Sequence, residues 1–167
     1  YESLLSFQTS KDVVTYVVYS NGINNTKAIL ETGINEYNVK AISMIDRDGD
    51  IIIQEIEDKI KDNVEVTKQD LIALTFTPIM SGKLSKVDKI IKSIKLVKKL
   101  DNEDRYDVES MLYAFADKFL DRKDLEKVKE EISMTKLGEM LVEDGIKKGI
   151  EQGIEQGEEK KAIKVAK

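Results

Sequence analysis

The sequence predicts a mixed α/β fold, in which a short segment with strands is followed by a longer helical region. Residues 13–19, VVTYVVY, are all β-branched or aromatic, and this composition favours a strand. From Asp50 onward the apolar residues recur three and four positions apart, beginning with Ile52, Ile53, Ile56 and Ile60. This period is typical of amphipathic helices.

The strand over 13–19 is apolar on both faces, so we expect it in the middle of a sheet that helices cover. A second strand is predicted over 39–45. Between them, residues 26–38 are predicted to form a loop with a short strand near Tyr37. Two strands do not make an independent sheet. We therefore expect the other strands of this sheet to come from upstream residues or from a partner.

The first residues give the same indication. The chain begins at Tyr1 rather than Met, and Leu4 and Leu5 precede polar Ser10. This pattern is typical of the last turns of a helix that is already under way, so we expect the front of a larger protein to precede it.

The helical region begins with a cap. Thr67 to Asp70 resembles a capping box, with Asp in place of the usual Glu or Gln, and the single proline, Pro78, is expected to end or kink the helix that follows. Further helices are predicted over 84–100, 106–120 and 123–132, and a long terminal helix is predicted from Met134.

The composition limits the chemistry. The 167 residues contain no cysteine and no histidine, which excludes disulfides, thiolate metal sites and the commonest general base from this chain. The net charge of −5 argues against nucleic-acid binding by the whole surface, but not against a local basic patch. No signal peptide is visible in these residues and no run reaches roughly 18 apolar residues, so a cytoplasmic protein is the default expectation.

Three alternating aspartates, Asp46, Asp48 and Asp50, resemble the start of a calcium-binding loop. Such a loop needs glycine at its sixth position, where this chain has Ile51, and a helix before it, where a strand is predicted. We therefore favour a turn at Asp48-Gly49 with Asp50 as the helix cap. Weak calcium binding at the surface is the alternative, and no metal ligands are assigned.

A lysine-rich helix over 84–100 is the candidate for contact with DNA. Its apolar stripe is formed by Leu84, Val87, Ile90, Ile91, Ile94 and Val97, and the lysines predicted to point away from that stripe are Lys89, Lys92, Lys95 and Lys99. Such a face suits phosphate groups. The alternative is an ordinary solvated face, because no arginine or aromatic residue is interleaved with the lysines.

The C-terminal helix carries a glycine at every fourth position. The candidate residues for oligomerisation are Gly145, Gly149, Gly153 and Gly157, with Ile146, Ile150 and Ile154 beside them. Close helix–helix contact in a homo-oligomer is one interpretation, and a solvated repeat is the other. The neighbouring charges exclude a membrane span.

No catalytic residue is assigned. A metal-dependent nuclease carries Asp on one strand and Glu-x-Lys or Glu-x-Gln on the next. The letters Glu57-Asp58-Lys59 have that spacing, but their period predicts a helix. The aromatic residues Tyr113, Phe115 and Phe119 are predicted to belong to the core rather than to a base-stacking platform.

Four pieces of the chain resemble PD-(D/E)XK nuclease family transposases, the bacterial group also called recombination-promoting nucleases. They are the strand in YESLLSFQTSKDVVTYVVYS, the DRDGD turn, the TPIM segment, and the run from MTKLGEM into the glycine tetrads. The resemblance implies a restriction-endonuclease-like sheet flanked by helices, followed by a helical C-terminal region. It also implies Mg²⁺-dependent DNA cleavage in the intact protein.

The resemblance implies that this chain is a C-terminal fragment. The family's metal-binding Asp and its Glu-x-Gln lie on strands before the helix at which this chain begins, so no catalytic residue is carried over. We expect residues 1–66 to form the last part of the nuclease core, 67–133 a helical region and 134–167 a long charged helix. A non-catalytic DNA-binding or oligomerisation module is the alternative function.

Overall fold

The computed structural model describes residues 2–150, except 102, 134, 136, 144, 148 and 149. Its helices are α1 (Glu2–Thr9), α2 (Gly49–Lys61), α3 (Lys68–Phe76), α4 (Lys86–Val97), α5 (Arg105–Phe119) and α6 (Arg122–Ile132). Its strands are β1 (Tyr16–Tyr19), β2 (Ile29–Thr32), β3 (Asn35–Asn38) and β4 (Lys40–Ser43). Residues 137–143, 145–147 and 150 are also helical. The order of elements confirms a mixed α/β chain whose second part is helical.

Strand β1 pairs with β4 in parallel. Lys40 N–H donates to the carbonyl of Thr15 at 2.9 Å, and Met44 N–H donates to the carbonyl of Tyr19 at 3.0 Å. Because main-chain groups alternate in direction along a strand, those of Tyr16 and Val18 face the opposite edge. No strand in the described part of the chain pairs with that edge.

Within the described chain β1 has a neighbour on one side only, and its central place in a larger sheet stays a prediction. The strand has four residues, and it lies at an edge. Tyr16 is 57% exposed and Val18 is 37% exposed, although both are residue types that strands usually bury.

Strands β2 and β3 form an antiparallel hairpin in the segment that was predicted to be mainly loop. The loop between them has two residues, and Gly33 at its first position has a φ of 62°, as a type II′ turn requires. The predicted strand near Tyr37 is confirmed as part of β3. Tyr37 Oη donates to Thr15 Oγ1 at 2.9 Å, which ties the hairpin to the chain just before β1.

The helices share one hydrophobic core, and α4 lies at its centre. Ile90, Ile94 and Val97 of α4 have no exposed surface, and α4 packs against α2, α5 and α6. Each isoleucine buried in this way contributes about 1.5–3 kcal/mol. Ile53 and Ile56 of α2 belong to the same core, so α2 packs as a member of the helical region.

The sheet meets the helices at a smaller cluster formed by Met44, Ile79 and Met80. Pro78 interrupts the chain after α3, where Thr77–Ile79 form a 3₁₀ turn. The predicted effect of the proline is confirmed. Asn21 N–H donates to the carbonyl of Ile79 at 2.9 Å, which fixes the end of β1 to this turn.

The capping box at Thr67 is confirmed. Thr67 Oγ1 accepts from Asp70 N–H, and the Asp70 carboxylate accepts from Thr67 N–H. Burial raises the pKa of Asp70, but hydrogen bonds from Lys59 and Thr67 outweigh it, so the pKa lies below its ordinary value.

The predicted cap of α2 is wrong by two residues. Asp48 is the cap, since its Oδ1 accepts from Asp50 N–H at 2.8 Å and from Ile51 N–H at 3.3 Å. Asp50 lies in the first turn of the helix, and its carboxylate points to a turn that is distant in sequence.

Candidate nucleic-acid interface

The candidate lysines in and just after α4 point in two directions. Lys92, Lys95 and Lys99 are exposed, as the helical period predicts. The prediction for Lys89 is wrong, because its side chain is only 3% exposed.

Lys89 is buried because it has acceptors inside the fold. Its Nζ donates to the carbonyl of Met80 at 2.9 Å and to that of Ser81 at 2.6 Å, and it lies 3.8 Å from Asp50 Oδ1. The turn that supplies these acceptors lies beside the first turn of α4. A helical wheel contains no information about that turn, so the buried lysine was assigned to the surface. Lys89 is not available to a ligand.

The partner of Lys89, Asp50, joins α2 to the turn before α4. Asp50 Oδ2 accepts from Lys83 N–H at 2.6 Å and from Leu84 N–H at 3.1 Å. Burial raises the pKa of Asp50, but these two N–H groups and the positive charges of Lys89 and Lys92 outweigh it. The pKa of Asp50 therefore lies below its ordinary value, and the carboxylate stays charged at neutral pH.

The exposed lysines line a depression between α2 and α4, which we call the lysine groove. Its volume is about 320 Å³. Its walls are Lys92 and Lys95 of α4, Lys98 and Lys99 just after α4, and Glu57 of α2, and its floor is Ile53 and Leu96. Both floor residues are 3% exposed, so the side chains that solvent reaches in the groove are chiefly those of its walls.

Two of the groove lysines have an internal partner. Glu131, in the last turn of α6, places Oε1 2.9 Å from Lys98 Nζ and Oε2 3.6 Å from Lys95 Nζ. Lys98 Nζ also donates to the main-chain carbonyl of Glu131, where the negative end of a helix favours a cation. Lys92 and Lys99 form no ion pair with the described residues.

Sequence reasoning missed Lys98, Glu57 and Glu131 as members of this surface. Lys98 was visible in the lysine run, but its position between the stripe and the exposed face left its role open. Glu131 is 33 residues from Lys98 along the chain, and no local pattern brings the two together.

The aspartates of the DRDGD turn do not converge on one point. Asp46 is exposed, Asp48 caps α2, and Asp50 faces Lys83 and Leu84. Within the described ranges, no three metal-ligating side chains come together. Glu57, Asp58 and Lys59 lie in α2, as their period predicts.

Part of the glycine-tetrad candidate lies within the described residues. Gly145 has open space around it, and Ile146 and Ile150 are 57% and 58% exposed. The other four candidates, Gly149, Gly153, Gly157 and Ile154, lie outside the described residues. Helix–helix contact through this segment stays a prediction.

The aromatic residues of α5 are largely part of the core. Tyr113 and Phe115 pack against it, and the ring of Phe115 contacts Phe76 edge-on at 6.1 Å. Phe119 stacks on Phe115 at 6.0 Å but is 46% exposed, so the prediction of a core position is wrong for Phe119.

Comparisons with family models, with characterised proteins and with solved structures found no match to this chain. None of the helices among the described residues combines the length and the hydropathy that a membrane span needs.

Proposed function

We propose that this chain is the C-terminal part of a PD-(D/E)XK nuclease family transposase, and that the longer protein cleaves and recombines DNA. The sequence resemblance suggests the family. The structural observation that supports it most is the incomplete sheet formed by β1 and β4.

The outer edge of β1 is the reason to expect further strands. A two-stranded sheet is not stable alone, and parallel strands normally have neighbours and cover on both faces. Here the main-chain groups of Tyr16 and Val18 face an edge that no described strand occupies. Phe7 of α1, just before this strand, is 84% exposed. Strands from outside residues 1–167 would satisfy these main-chain groups and cover these side chains.

In this proposal the chain supplies scaffold rather than catalytic groups. The resemblance implies that Asp and Glu-x-Gln on the missing strands hold Mg²⁺. None of those ligand positions matches a residue of this chain, and among the described residues no three His, Cys, Asp or Glu side chains come together. No step of the cleavage reaction is therefore assigned to a residue of this chain.

A nicking assay tests the proposal. We expect residues 1–167 to leave supercoiled plasmid intact in a buffer that contains Mg²⁺, the metal that the resemblance implies for the cleavage reaction. A longer protein that includes the preceding strands should nick the plasmid, and EDTA should stop it. Robust Mg²⁺-dependent nicking by a clean preparation of residues 1–167 would contradict the proposal.

The second candidate is a non-catalytic DNA-binding module, and the lysine groove favours it. Four lysines line the groove against one glutamate, although the chain as a whole is acidic. The test is salt-dependent binding of a fluorescent duplex by residues 1–167. Lys92→Glu should abolish binding, whereas Lys123→Glu, a matched reversal at an exposed lysine of α6, should weaken it far less. Equal effects of the two reversals would refute a role for the groove.

A further inference from the structure

The lysine groove contains both a surface for an anionic ligand and an internal competitor for that surface. Lys92 and Lys95 lie three residues apart on α4, and Lys99 follows in the turn just after the helix. The spacing of Lys92 and Lys95 corresponds to about 4.5 Å along the helix. One strand of duplex DNA carries a phosphate per roughly 3.4 Å of axis, so these lysines match a short stretch of phosphodiester backbone.

The character of the groove favours a nucleic-acid backbone over a membrane. A surface that enters a bilayer presents large apolar side chains beside its cations. In the groove, the apolar residues Ile53 and Leu96 are buried in the floor. The groove therefore offers a ligand lysine side chains and Glu57 rather than large apolar side chains, and phosphodiester groups in a row are a ligand that such a surface fits.

Glu131 reduces the charge that the groove offers. Lys98 holds the Glu131 carboxylate from one side and also binds its main-chain carbonyl. The other carboxylate oxygen lies 3.6 Å from Lys95 Nζ. The Lys95 side chain is 57% exposed, whereas those of Lys98 and Glu131 are 26% and 23% exposed. Lys98 is therefore the fixed partner of Glu131, and Lys95 is the one that a ligand can recruit.

We propose that Lys92, Lys95 and Lys99 bind the DNA backbone and that Glu131 lowers the affinity of this surface by competing with phosphate for Lys95. This inference rests on the second candidate function, DNA binding by the groove, and adds a residue that sets its strength. An exposed ion pair of this kind is weak, so phosphate displaces Glu131 at a modest cost.

The variant that tests the competition is Glu131→Gln. Glutamine keeps an acceptor for Lys98 but carries no charge, so the helix contact is retained. The affinity for a duplex of about 30 base pairs should rise about two- to fivefold at low salt. This factor corresponds to one exposed ion pair. The slope of log affinity against log salt should steepen by up to about 0.9, the contribution of one phosphate contact.

Two controls isolate the pair. Glu126→Gln makes the same change of net charge on the same helix, but its partner is Lys129, outside the groove, so it should change the affinity less. In a Lys95→Gln background, Glu131→Gln should have a smaller effect, because the exposed lysine for which the two anions compete is absent and only Lys98 remains beside position 131. Unfolding midpoints of all variants identify any loss of affinity that is due to misfolding.

The outcomes separate the proposals. If residues 1–167 do not bind the duplex, DNA binding by the groove and the competition are both overturned, and the nuclease proposal is not affected. If Lys92→Glu abolishes binding while Glu131→Gln and Glu126→Gln have the same effect, DNA binding by the groove is supported. The competition between Glu131 and phosphate is then overturned. If anionic vesicles of phosphatidylserine bind more tightly than the duplex, the surface is a membrane site and the inference is wrong.

Discussion

Replacing Lys89 with methionine tests whether a buried lysine joins three parts of the fold. Methionine keeps the length and apolar stem of the side chain but removes the ammonium group. The carbonyl of Ser81 still accepts from Gly49 N–H at 2.9 Å. The carbonyl of Met80 loses its donor, and Asp50 loses the charge 3.8 Å from its Oδ1.

The expected cost follows from these two losses. A buried acceptor left without a donor costs about 1–3 kcal/mol. The loss of the charge pair with Asp50 adds less than a fully buried pair would, because the Asp50 side chain is 25% exposed. Part of the cost is offset, since the folded protein no longer desolvates an ammonium group. We therefore expect Lys89→Met to lower the free energy of unfolding by about 2 kcal/mol.

Urea unfolding followed by far-UV circular dichroism measures this change. With a slope of about 2 kcal/mol per molar urea, the midpoint should fall by about 1 M. The control is Lys92→Met on the exposed side of the same helix, which should stay within about 0.5 kcal/mol of the parent. In an Asp50→Asn background the cost of Lys89→Met should be smaller. A Lys89→Met protein as stable as the parent would refute the structural role of this lysine.

Three further perturbations test other parts of the fold. Thr67→Ala removes the capping box of α3 and should cost about 1 kcal/mol in urea unfolding; an unchanged midpoint would show that the cap is dispensable. The lowered pKa of Asp50 means that its stabilisation is complete above the unfolded pKa and is lost as pH falls through the folded pKa. The stability difference between the parent and Asp50→Asn should therefore shrink below about pH 4, and a difference that grows with acid would contradict this. Gly82 has a φ of 132°, and an added Cβ would lie 2.4 Å from Asp50 Oδ1, so Gly82→Ala should cost about 1–3 kcal/mol. Gly22→Ala, with open space around it, is the control for thermal unfolding, and equal melting temperatures of the two variants would count against the turn geometry.

Local signals in the sequence predicted the local features of the fold. The Thr67 cap, the break at Pro78 and the stripe of α4 through Ile90 and Ile94 all depend on residues within a few positions of one another. Whether these features form therefore does not depend on the rest of the fold. The hairpin was the exception, because the turn at Gly33 is local but joins strands of low apolar content.

The features that the sequence did not predict depend on contacts between distant segments. Lys89 occupies a position that suits the surface until the Met80–Ser81 carbonyls are placed beside it. Asp48 and Asp50 are equally good caps by composition, and the distant N–H groups of Lys83 and Leu84 decide which of them serves. The pairing of Lys95 with Glu131 requires the packing of α4 against α6. These are tertiary effects, which single-sequence patterns do not contain.

The incomplete sheet also depends on segments that are distant from β1 in sequence. The composition of β1 predicted neighbours on both sides, and the described chain supplies only β4. If strands outside residues 1–167 complete the sheet, β1 is a central strand in the longer protein, as its composition predicts, although it is an edge strand in this chain.

The most direct test of the proposed function is to determine the coding DNA immediately upstream of the codon for Tyr1. We predict an open reading frame that encodes an apolar strand bearing Asp, followed by a strand bearing Glu-x-Gln or Glu-x-Lys. Such a frame would supply both the missing strands beside β1 and the metal ligands that this chain lacks among its described residues. An in-frame stop codon, or an upstream sequence without these strands, would contradict the proposal that the chain is part of a nuclease.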